Sequence, residues 1–214
     1  MTRSLHSLLL PAPIVAALLL PLALGLPAPA QAQPAQAQPA QAQRFLEQRH
    51  TEVQRLLRQP SGERRDGRLS TILGELLDYD ELSRRALSQH WEAQAPESRA
   101  AFVDLLRQLV ERSYQANLEN TLDYEVSYEG AEAIEGGVLV RTLARSATNR
   151  RAPAVSIEYR LHRERGQWRV FDVTTDGSSM VRSYRSQFNR IIGREGWEGL
   201  MRRMRARLEA GSEV

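Results

Sequence analysis

The chain has 214 residues, of which 29 are basic and 26 acidic, for a net charge of +3, and it contains no cysteine. Without cysteine it is neither a disulfide scaffold nor a lipoprotein anchored through a modified thiol, so its fold must rest on a buried core. All 29 basic residues are arginine, a bias that GC-rich coding explains, and +3 on this length is a weak steering charge at most.

Met1 to Ser7 carries one charge, Arg3, and Leu8 to Leu26 is almost wholly apolar, broken by Pro11, Pro13 and Pro21. Ala28-Pro29-Ala30 and Ala30-Gln31-Ala32 then offer two A-x-A patterns. A cationic start, an apolar core and small residues at the exit read as a secretory signal. A retained membrane anchor is the rival reading, since a spanning helix needs about 20 apolar residues, but the prolines and the A-x-A exit favour cleavage. The predicted organisation is a signal peptide over 1–30, a disordered Gln/Ala/Pro linker over 31–43 and one folded domain over 44–214. The linker holds no large apolar side chain with which to offset chain entropy.

Phe45, Leu46, Val53, Leu56 and Leu57 mark one face of a helix over 44–58, which Gln59-Pro60-Ser61-Gly62 ends. A second helical stretch, with a bend, runs from Arg68 through Leu69, Ile72, Leu73, Leu76 and Leu77 toward Leu87 and Trp91. Pro96 and Glu97 suit a helix start, and Phe102, Leu105, Leu106, Leu109, Val110 and Tyr114 behind them follow helical spacing to about Glu119.

The period then becomes twofold. Tyr124, Val126 and Tyr128 alternate with polar residues, and Glu135-Gly136-Gly137 is a turn. Val138, Val140 and Thr142 come next, then Val155, Ile157, Tyr159 and Leu161, and after Arg165-Gly166 come Trp168, Val170 and Asp172. These are four strands of an antiparallel meander, apolar on one face. Asp176-Gly177-Ser178-Ser179 ends the sheet and caps a helix whose inner stripe is Val181, Tyr184, Phe188, Ile191 and Ile192. Gly193 and Gly196 interrupt it before a last helix with Trp197, Leu200, Met201, Met204 and Leu208 on one side. The expected fold is α+β: a four-stranded antiparallel curved sheet packed by N-terminal and C-terminal helices around an apolar cavity.

Catalytic chemistry is mostly missing. His6, His50, His90 and His162 are scattered and form no metal-ligand spacing. Ser178 and Ser179 lack a nucleophile elbow and are explained as a helix cap. Asp172, in phase with Trp168 and Val170, points toward the apolar face, where an unpartnered carboxylate becomes a base; bonds to the 177–180 turn would instead tie sheet to helix. There is no phosphate loop. The Arg-rich stretch from Arg141 to Arg169 lacks aromatics spaced for base stacking. The basic C-terminal helix either touches anionic lipid heads or lies on its own domain.

The run Phe171 to Leu200 contains Asp172, Asp176, Gly177, Ser179, Met180, Tyr184, Arg185, Phe188, Gly196, Gly199 and Leu200. With Ile72 to Asp80, Arg85-Ala86-Leu87, Trp91 and Ala95-Pro96, it resembles the MlaC, or toluene-tolerance, family of periplasmic phospholipid-binding proteins over about Phe45 to Leu208. Asp176 stands where the family commonly has Glu, and Ser178 where a small apolar residue is frequent. The resemblance implies a non-enzymatic periplasmic shuttle with neither cofactor nor metal. Its partners would be phospholipid, an inner-membrane ABC transporter with MCE domains, an outer-membrane lipoprotein complex and, transiently, the membrane surface. Its task would be to maintain outer-membrane lipid asymmetry.

Patterning makes Val110, Tyr114, Leu118, Val155, Ile157, Tyr159 and Val170 candidates for the lipid-binding wall, and the signature turn adds Met180 and Tyr184. Each could equally be ordinary core. Two other classes of function stay open: a hydrolase or isomerase on a cone-shaped α+β scaffold with Asp172 as base, and an adaptor that binds only protein.

Overall fold

In the computed structural model of the chain, which describes residues 37–117 and 122–210, helix α1 (Ala37–Leu57) begins inside the expected linker. Alanine and glutamine are good helix formers, and the register that turns Leu46 and Val53 inward also buries Ala42 completely. The expectation of disorder over 31–43 is corrected for Ala37 to Gln43, which are helical; residues 31–36 lie outside the described residues. The expected signal peptide, 1–30, lies outside the described residues.

The bent helical stretch after the first loop is two helices, α2 (Glu63–Leu76) and α3 (Tyr79–Leu87). The chain between them is extended. Leu77 bridges to Val170, and the Asp78 amide donates to the Val170 carbonyl at 2.8 Å. Asp78 Oδ1 also accepts the Glu81 amide at 2.8 Å, so one residue both ends the link and caps α3. A short 3-10 turn, Ser88–His90, precedes α4 (Pro96–Asn117), which starts at the proline as expected.

The sheet is an open antiparallel meander in sequence order: β1 (Tyr124–Ile134), β2 (Gly137–Ser146), β3 (Val155–Glu164), β4 (Gln167–Thr175) and β5 (Ser178–Ser179). It has five strands where the sequence suggests four. Asp176 and Gly177 take φ of 45° and 80°, the positive pair of a tight hairpin turn. The chain therefore reverses and pairs Ser178 and Ser179 with Thr175 and Thr174 before entering helix α5 (Met180–Ala210). The helix breaks once, at Gly196 (φ 69°), and not at Gly193.

Register sorts the side chains. Val126, Ala144 and Val155 form one cross-strand row; Tyr128, Thr142, Ile157 and Thr175 form the next. Beyond them lie Ala131, Val140, Tyr159 and Val173, then Ala133, Val138, Leu161 and Val170. These rows make the inner face. The main core joins Val138, Val140, Leu161 and Val170 to Leu82 and Leu87 of α3, Phe102 and Leu106 of α4, and Leu200, Met201 and Met204 of α5. A second cluster, Val53, Leu56, Leu57, Leu69 and Ile72, lies between α1 and α2, with Tyr114 of α4 packed on it.

Candidate functional site

The inner sheet face changes character along its length. Val138, Val140, Leu161 and Val170 are at most 1% exposed. Val126, Tyr128, Val155, Ile157 and Tyr159, on the same face, are only half-buried. Val126, Val155 and Ile157 pack with neither core cluster. Thr142, between them, donates its hydroxyl to the Ile157 carbonyl at 2.9 Å, which takes its polar atom out of the row. Apolar surface left open there forfeits about 25 cal/mol per Å² until something covers it.

Three tyrosines stand near this part of the sheet. Burial pushes the Tyr114 phenol up to about 12 and raises those of Tyr128 and Tyr159 as well. Tyr159 is close enough to feel both Tyr114 and Tyr128. All three keep some exposed surface. Tyr114 packs on the second cluster, and Tyr128 and Tyr159 pack on the main core. His50 of α1 meets Tyr128, Nδ1 to Oη at 3.4 Å, and burial lowers its pKa.

Of the residues expected to line the site, Val155, Ile157, Tyr159 and Tyr114 are half-buried. Val110 is buried in the main core and Val170 is wholly enclosed by it. Met180 and Tyr184 pack on that core from α5, Tyr184 stacked on Phe188 at 5.4 Å between centroids. Leu118 lies outside the described residues. Val126, Tyr128 and His50 join the site without being sequence candidates; for the first two the alternation from Tyr124 to Tyr128 is the available signal, and His50 carries none.

Asp172 requires a correction. The β3–β4 register shifts between Arg160 and Leu161, so Leu161 opposes Val170 while Arg160 opposes Asp172. Phe171 is the extra residue, and the bulge inverts the phase of the strand beyond it. Asp172 therefore stands with Arg160 on the outer face, away from the half-buried apolar rows. It is 7% exposed, and both carboxylate oxygens are engaged: Oδ2 accepts Ser179 Oγ at 2.7 Å and Oδ1 accepts the Val181 amide at 3.0 Å. Its place is structural, joining β4 to the start of α5.

The rest of the C-terminal signature has similar local reasons. Arg185 donates two hydrogen bonds, at 3.0 and 2.8 Å, to the Arg85 carbonyl near the end of α3, where a helix leaves carbonyls without donors. Gly196 supplies the left-handed break. A Cβ on buried Gly199 would meet Glu195 Cβ at 2.3 Å, and the tight turn brings Leu200 to full burial. Among the described residues no three His, Asp or Glu side chains come together as metal ligands, and no helix is long and apolar enough to cross a membrane.

A family model described as MlaC protein matches residues 47–206. Comparison with curated proteins finds no match. Among solved structures, the phospholipid-binding protein from Ralstonia solanacearum in complex with a phospholipid aligns with a TM-score of 0.66 at 21% identity. The alignment covers 79% of this chain and 98% of that one. At that identity the likeness is one of fold.

Proposed function

This chain belongs to the MlaC family, and from that premise we propose that it binds phospholipid and carries it through the periplasm. The observation that carries the reading is the half-buried apolar stretch of the inner sheet face, Val126, Tyr128, Val155, Ile157 and Tyr159, of which Val126, Val155 and Ile157 pack with neither core cluster. The fold it shares with a protein solved in complex with a phospholipid supports it. In this reading acyl chains lie along these rows, in an apolar recess between the two cores, and the head group stays toward solvent.

The energetics suit a carrier without catalysis. Each methylene removed from water gains about 0.8 kcal/mol, but the same gain already exists in the donor bilayer. The protein need only match the membrane for lipid to move either way, and direction comes from its partners. We assign these as an inner-membrane ABC transporter with MCE domains and an outer-membrane lipoprotein complex, the three together maintaining outer-membrane lipid asymmetry. In this reading residues 1–30 are a cleaved export signal, and the carrier domain comes after a linker shorter than the sequence suggests.

Mass spectrometry of organic extracts from the purified protein tests the proposal. Co-purified phospholipid near one molecule per chain is expected. Protein that is lipid-free, and takes up none from phospholipid vesicles, overturns it.

A further inference from the structure

On the outer face of the sheet, remote from the apolar recess, the guanidinium groups of Arg85, Arg160, Arg182 and Arg185 line one concavity of about 200 Å³ between β4, α3 and the first turns of α5. Asp172 is the acid in it, and both its oxygens are already bonded to Ser179 and Val181. Arg185 is held on the Arg85 carbonyl, and Arg85 lies over the Phe171 ring at 4.3 Å and pairs with Glu81 at 2.6 Å. These two are fixed as the floor. Arg182 spends one nitrogen on the Gly177 carbonyl. Arg160 is half-buried and, among the described residues, makes no ion pair or hydrogen bond to an acid; Glu158, its neighbour on the same face, is directed to Arg141 at 3.7 Å. Partly buried arginine without a carboxylate leaves a strong set of donors unused.

The concavity continues past Ser179 and Arg182 into a shallower one along α5, lined by Ser183, Ser186, Gln187 and Arg190, with no acid among its walls. On the adjoining sheet surface Arg141 is paired, standing between Glu132 and Glu158. A bilayer presents its anions as a plane to basic clusters on a protein surface; donors set inside a concavity suit a segment that brings its own carboxylates into it.

We propose that this groove is a docking site for an acidic peptide segment of a partner protein, with one carboxylate seated between Arg160 and Arg182. It lies on the face opposite the apolar recess, so a partner can hold the protein there while the recess stays free to load or unload. The site stands on charge and shape alone and does not depend on what the recess carries.

Isothermal titration of the purified protein with a hexaglutamate peptide, against hexaglutamine, tests it. Hexaglutamate should bind and hexaglutamine should not. Affinity should fall with added salt, and by about tenfold in Arg160→Gln and in Arg182→Gln, the size expected for losing one charged contact at a partly exposed site. Thermal melts establish that both variants fold, and their co-purified lipid should match the parent's, which keeps failure here distinct from failure of the carrier reading. Three results overturn the proposal: no hexaglutamate binding, equal binding by both folded variants, or arginine-dependent binding seen only with phosphatidylglycerol vesicles or with inorganic phosphate.

Discussion

Ser179 donates its hydroxyl to Asp172 at 2.7 Å, and the same oxygen accepts the Arg182 amide at 3.1 Å. One side chain thus relays the end of the sheet to the first turn of α5. Asp172→Ala removes the acceptor of two buried donors, Ser179 Oγ and the Val181 amide. Each orphaned group costs about 1–3 kcal/mol, so urea denaturation should show a loss of about 2–6 kcal/mol, with Asp172→Asn in between. Lipid content should persist in whatever fraction remains folded. A loss below about 1 kcal/mol would mean that water replaces the carboxylate without strain.

Arg185 acts through its planar fork more than through its charge. Both of its bonds end on one carbonyl, which an ammonium group cannot grip in the same way. Arg185→Lys, though it keeps the charge, should lower stability by about 1 kcal/mol, read as a reduced melting temperature. A variant with the parent's melting temperature would show that the α3–α5 seam holds without the fork.

Periodicity is enough to find the helices and strands, because the apolar faces of α4 and of β3 are regular along their length. It fails where a local device changes the phase. The bulge at Phe171 turns Asp172 from the apolar face to the outer one, and no composition rule marks the extra residue. The Asp176-Gly177 pair is a legible hairpin signal, yet the serines after it read as a helix cap, since serine serves both roles. Ala42 escapes notice because a methyl group gives little signal in a Gln/Ala/Pro repeat. The division of the inner face is also hidden: Val170 and Ile157 have the same pattern in sequence, and only the placement of the helices makes one core and the other wall.

That division can be tested at Ile157. A carboxylate there would face the rows on which acyl chains are proposed to lie, and an unpaired charge in an apolar site is strongly disfavoured. Ile157→Glu should fold, since Ile157 packs with neither core cluster, yet purify with its phospholipid reduced at least about tenfold, the equivalent of about 1.4 kcal/mol. Val170→Glu, in the wholly enclosed part, should fail to fold. A normal lipid load in folded Ile157→Glu would remove this position from the binding surface.

His50 adds a pH dependence with a definite sign. Burial lowers its pKa below the ordinary value of 6.5, because the charged imidazolium loses water where α1 meets Tyr128. The unfolded chain therefore takes up the proton first as pH falls. The stability linked to His50 is fully present above pH 6.5 and is lost as pH drops through the lower, folded-state pKa. His50→Gln cannot titrate, so the difference in unfolding free energy between parent and variant should be flat above 6.5 and shift against the parent below it. Carboxylates elsewhere cancel in that difference. Parallel pH curves for the two proteins would show that the imidazole is as well solvated in the fold as in the open chain.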